Sequence, residues 1–240
     1  MEKDSLILSN AKKDIPIYLQ DFNNFWKETT TYYTDEVLTE CYATSLIYKN
    51  WLIVLNHIGI KTVDAFCNEL HEDINTSFYH SYFGQYRSAH MHLRSVIELS
   101  LQLFYFYQHE VEYDQWKSGE YRIKHDVLTD YLKKHPAFKD TTAVDTIDLI
   151  TRKWKLFSKY IHAEAPDFFQ TNLESSKKRT ISKKDLGVWK SNYLKTGYLT
   201  NKLFLLFFKN NLNLFPTQNR DILLRNQTDK DLIELGLKIG

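Results

Sequence analysis

Residues that break helices are scarce in this chain. Seven glycines and four prolines are spread over 240 residues, too few for the many tight turns of a multi-stranded β fold. Cysteine is scarcer, with only Cys41 and Cys67. Two thiols cannot build a disulfide framework, and both lie inside apolar helical patterns, so they read as small buried residues of a reducing compartment. Excess charge of either sign is also absent, with 31 basic against 30 acidic side chains. No global field therefore draws the protein to nucleic acid or an anionic membrane, and such binding has to come from a local patch. Long hydrophobic runs are missing too. The most apolar windows, "SLIYKNWLIVLNHIGI" and "YLTNKLFLLFFKN", are interrupted by Lys and Asn well short of the ~20 residues of a membrane span. The start, "MEKDSLILSNAKKDIP", is charged at once and lacks the apolar run of a signal peptide. These absences together predict a cytoplasmic protein without membrane contact. The readily recognised phosphate-binding and hydrolase motifs, Gly-x-Gly-x-x-Gly, the Walker loop and Gly-x-Ser-x-Gly, do not occur.

What the chain does contain is aromatic residues, 15% of the total and mostly Tyr and Phe, set in apolar patterns of helical period. The fold class expected is all-α, a single bundle of about seven to eight helices. Asp14 before Ile15-Pro16 predicts a first helix start. Thr34 can cap a second helix whose first turn carries Asp35 and Glu36, and Thr62 can cap a third. From Val63 to about His109 the pattern stays helical, with Gly84 the one expected break. A polar-aromatic connection, "EVEYDQWKSGE", should precede helices over 121–134 and from Thr142 to about Ala163, stopped by Pro136 and Pro166. Helices over about 185–210 and 217–237 complete the count. The chain then divides into N-terminal helices (1–62), a central region (63–165), a basic loop (166–184) and C-terminal helices (185–240).

The chemistry concentrates in residues 84–109, "GQYRSAHMHLRSVIELSLQLFYFYQH". His90, Arg94 and Glu98 are spaced four and four, and Arg87 lies seven before Arg94, which puts them on one polar stripe of an otherwise apolar helix. Two readings stay open. In one, Arg94 and Glu98 form a buried ion pair that fixes helix register. In the other, Arg87 and Arg94 bind an anion while His90 or His162 moves protons.

The run Arg87-Ser-Ala-His-Met-His92 resembles the Arg-x4–6-His pattern of HEPN domains, all-helical modules of bacterial toxin–antitoxin and antiphage systems. The chain is also similar to a looser group of helical proteins through Leu93-Arg94-Ser95-Val96-Ile97-Glu98, Trp116-Lys117-Ser118-Gly119 and Tyr160-Ile161-His162. The resemblance covers roughly residues 70–165. It implies an RNA-cleaving or RNA-binding effector of a bacterial defence or toxin–antitoxin type system, with metal-independent endoribonuclease chemistry if it is catalytic. Arg87, His90, Arg94 and His162 would then be catalytic, supported by His92, Glu98 and Tyr160. In an unbroken helix Arg87 and His92 lie about 140° apart, so Arg87 would pair with His162 or act across a dimer. The alternative is a catalytically silent helical protein that assembles with itself or a partner subunit.

Two further features complete the reading. "KKRTISKK" (177–184) holds five positive side chains and no acid. It is either a solvated loop or a contact for nucleic-acid phosphates through Lys177, Lys178, Arg179, Lys183 and Lys184. His90-x-His92 with His80 or His71 does not make a metal set, because residues two apart on a helix face different ways and no Glu-x-x-His pair is present. No metal or other cofactor is expected. The partners expected are RNA, a partner protein or antitoxin, and a second copy of the chain.

Overall fold

The computed structural model describes residues 2–61, 63–139, 141–169 and 183–237, with the backbone alone at 2–7, 18, 21, 22 and 25. Every long apolar segment among these residues is helical, and no strand occurs. The helices are α1 (Glu2–Thr30), α2 (Asp35–His57), α3 (Asp64–Tyr82), α4 (Tyr86–Phe106), α5 (Glu110–Lys117), α6 (His125–Lys133), α7 (Ala143–His162), α8 (Lys183–Phe207), α9 (Thr217–Leu224) and α10 (Asp229–Glu234). None is long and apolar enough to cross a membrane.

Several boundaries follow from single residues. The Thr34 hydroxyl accepts from the Val37 amide at 3.4 Å, behind the acidic first turn of α2. Gly84 separates α3 from α4 with φ at 67°, a left-handed conformation that side chains with a Cβ rarely adopt. Pro136 and Pro166 open short 3-10 turns, so neither α6 nor α7 runs past them. Ala163 ends α7 in the left-handed region. The cap expected at Thr62 lies outside the described residues.

Other boundaries differ from expectation. The first helix begins at Glu2 and runs through Pro16 instead of starting at Asp14. Residues 8–17 are exposed wherever their side chains are described, so the carbonyl that proline leaves without a partner is in water and the break is less costly than in a core. The segment expected as a connection forms α5, because Tyr113 and Trp116 pack on Phe66 and Phe106. The single helix expected over 217–237 is two, since Thr228 and Asp231 form a reciprocal capping box that starts α10 afresh. Together these give ten α-helices among the described residues, where seven to eight were expected.

α4 is the centre of the bundle. It packs against α3, α7, α8 and α6, and Leu93, Val96, Ile97, Leu101, Leu103 and Phe104 are fully buried. Phe104 meets Phe138, Phe204 and Phe207 edge-on or tilted, and Trp51 meets Phe204 and Phe208 in tilted contacts. Cys41 and Cys67 are free and buried, and burial pushes both thiols up to about 12, so neither is a nucleophile at neutral pH. α1 touches the body through Trp26, which packs against Tyr82 and Phe83.

Candidate functional site

The stripe on α4 faces α7, which runs antiparallel beside it, and meets it at two places, Arg87 and His90 near Tyr160 and Arg94 and Glu98 at Trp154. At the N-terminal end of α4, exposed Arg87 turns to the last turn of α7. Its Nε donates to the Tyr160 carbonyl at 2.8 Å and its Nη2 to the Ile161 carbonyl at 2.6 Å. Carbonyls at a helix C-terminus have no intrahelical partner and carry the negative end of the dipole, so the guanidinium acts there as a cap.

One turn on, His90 is 1% exposed. Its Nδ1 meets the Tyr86 carbonyl at 2.7 Å, its Nε2 meets Asn192 Nδ2 at 3.0 Å, and its ring stacks on Tyr160 at 4.2 Å. Asn192 Oδ1 in turn accepts from Lys153 Nζ at 2.6 Å. The ammonium fixes which way the amide points, and the amide then requires a bare lone pair on Nε2. His90 is therefore neutral and protonated on Nδ1. Burial holds its pKa down to about 4, with the charge on Lys153 acting in the same direction. The adjoining crevice, about 40 Å³, is lined by Asp167 and Asp185 as well as Arg87, a poor setting for an anion.

His92 lies on another side of α4, where Nδ1 meets Asp73 Oδ1 of α3 at 2.7 Å. His162 is the exposed last residue of α7. Arg87, His90, Arg94 and His162 thus do not share one cleft. Lys183 and Lys184 form the exposed first turn of α8, two residues earlier than the expected start, while Lys177, Lys178 and Arg179 lie outside the described residues.

Arg94 and Glu98 line a different and larger space. Arg94 Nη2 is 2.9 Å from Glu98 Oε1, with the side chains 25% and 34% exposed, so the pair borders a cavity instead of being sealed in the core. Glu98 Oε1 also accepts from Trp154 Nε1 at 2.7 Å. Over the Trp154 ring lie the Arg94 guanidinium, 4.8 Å from the centroid, and the imidazole of His125, stacked at 4.1 Å. Burial and the Arg94 charge depress His125 to about 4, and its place at the positive end of α6 disfavours a proton further.

The cavity holds about 560 Å³ and is lined by Arg94, Glu98, Gln102, Arg122, Ile123, Lys124, His125, Leu128 and Trp154. Arg122 and Lys124 are exposed. At the start of α6 the Asp126 carboxylate accepts from the Val127 amide at 3.0 Å. Arg94 Nε and His125 Nε2 are buried without a hydrogen-bond partner among the described residues.

Sequence reasoning found Arg94 and Glu98 but not Arg122, Lys124, His125, Gln102 or Trp154. The available signal was "YRIKHD" (121–126), in which Arg122, Lys124 and His125 cluster at the start of a helix. No family model matches this chain, and no curated protein or solved structure matches it either.

Proposed function

We propose that this protein is an RNA-binding effector of a bacterial defence or toxin–antitoxin type system, HEPN-like in architecture, and that it engages RNA phosphate in the cavity between α4, α6 and α7. The observation that carries this reading is the cavity lining, in which Arg94, Arg122 and Lys124 outnumber the one acid, Glu98. The cations meet phosphate oxygens, with arginine able to do so bidentately. The apolar wall of Ile123 and Leu128 and the amide of Gln102 suit a sugar or base. Binding is favoured over cleavage because the one imidazole beside Arg94 lies flat on Trp154 with Nε2 buried, out of reach as a proton acceptor for a ribose hydroxyl.

Incubation with total RNA followed by filter retention tests this reading. Wild type should retain RNA without shortening it, and Arg122→Ala with Lys124→Ala should weaken retention by about tenfold and lower the salt slope by about two. His162→Ala should bind like wild type. Unchanged retention in the double variant would refute the assignment of the cavity, and cleavage lost only in His162→Ala would restore that residue to the chemistry.

A second reading, a helical protein that pairs with a second copy of itself, is supported by α1. Leu8, Ile15, Ile17 and Leu19 are 51–63% exposed on this one helix.

A further inference from the structure

We infer that the cavity between α4, α6 and α7 selects a phosphomonoester on a nucleotide, the terminal phosphate of an RNA or a free mononucleotide, over the phosphodiester inside a strand. The inference rests on the RNA reading above and narrows it. It starts from the charge balance. Arg94, Arg122 and Lys124 face a single carboxylate, Glu98, and that carboxylate already accepts from Arg94 and from Trp154 Nε1 through one oxygen. His125 adds no charge at neutral pH, because the stacked and buried imidazole is unprotonated. The lining thus carries an excess of two positive charges. A phosphomonoester carries about −1.5 to −2 at neutral pH, while each backbone phosphate of a nucleic acid carries a single negative charge.

Donor geometry points the same way. A terminal phosphate offers three oxygens free of sugar, and a diester offers two. The cavity presents more donors than a diester can accept: the outer nitrogens of Arg94, the Arg122 guanidinium and the Lys124 ammonium. Shape agrees. The space is a recess with an apolar wall at Ile123 and Leu128, and its volume of about 560 Å³ falls in the range of small-ligand pockets. A strand end enters such a recess more readily than a continuous backbone.

The test uses the full chain and one oligoribonucleotide sequence, labelled internally, prepared with a 5′-phosphate, with a 3′-phosphate, or with hydroxyls at both ends. Fluorescence anisotropy gives the three affinities, and calorimetry with AMP gives the fourth. One phosphorylated end should bind about tenfold tighter than the hydroxyl form. That advantage should shrink below about pH 6, where the monoester dianion takes up a proton and becomes a monoanion, and should disappear in Arg122→Ala. AMP binding as tightly as the phosphorylated strand would identify the free nucleotide as sufficient, and weak AMP binding would identify the RNA end, either result upholding monoester selection. Equal affinity for all three strands would overturn the inference while leaving the RNA reading intact. AMP binding with no strand bound would instead overturn the RNA reading and leave monoester recognition standing. Failure of every ligand would remove both.

Discussion

His90 should make the protein sensitive to mild acid. The folded chain holds this imidazole neutral, since burial and then Lys153 lower its pKa from 6.5 to about 4. An exposed histidine in the unfolded chain titrates near its ordinary value, so between pH 6.5 and about 4 the unfolded state takes up a proton that the folded state refuses. The stability is therefore fully present above pH 6.5, is lost as pH falls through that window, and is gone by about pH 4. A depression of this size corresponds to roughly 3 kcal/mol, a sizeable fraction of the 5–15 kcal/mol typical of a domain. The structural cause is specific: a protonated Nε2 would face the amide hydrogens of Asn192, which Lys153 holds in place. Urea unfolding at intervals from pH 7 to 4.5, in wild type and His90→Gln, isolates the effect because all other titrating groups are common to both. The variant should be less stable at pH 7 but show a shallower decline with acid. Parallel curves would refute the neutral, buried assignment of His90.

Three other outcomes follow from the packing. Arg94→Met should cost only about 1 kcal/mol in urea unfolding, because the Arg94–Glu98 pair is partly exposed, and a loss of 3 kcal/mol or more would mean the pair is sealed in the core. Gly197→Ala should lower stability by about 1–3 kcal/mol, since a Cβ there would stand 2.4 Å from Thr44 Cγ2; Thr44→Ser, which removes that methyl, should restore most of the loss in thermal melts. If α1 pairs with a second copy, Ile15→Lys should shift the mass measured by light scattering from dimer to monomer, and a monomeric wild type would dispose of the self-pairing reading.

Much of the helical layout was legible because it depends on local chemistry. Thr34, Gly84, Pro136 and Pro166 act on their own neighbours, and each marks a boundary where sequence alone placed it. α5 was not legible, because Tyr113 and Trp116 become a helix face only once Phe66 and Phe106 are beneath them. The site was half legible for the same reason. Arg94 and Glu98 announce themselves by spacing within one helix, and they do meet. Arg87 lies on the same stripe, but its guanidinium is taken up by two carbonyls seventy-three and seventy-four residues away at the end of α7, and nothing in a sequence shows where a helix end will lie in space. His125 and Trp154 join the site from two other helices, so their stacking is a tertiary fact.

The central claim is that RNA is held in the cavity of Arg94, Arg122, Lys124 and Trp154, and ultraviolet crosslinking to a photoreactive oligoribonucleotide, mapped by mass spectrometry, tests it most directly. Crosslinked peptides should concentrate on residues 122–128 and around Trp154, and should diminish in Arg122→Ala. Crosslinks confined to the crevice at Arg87, Asp167 and Asp185, or to the first turn of α8, would contradict it.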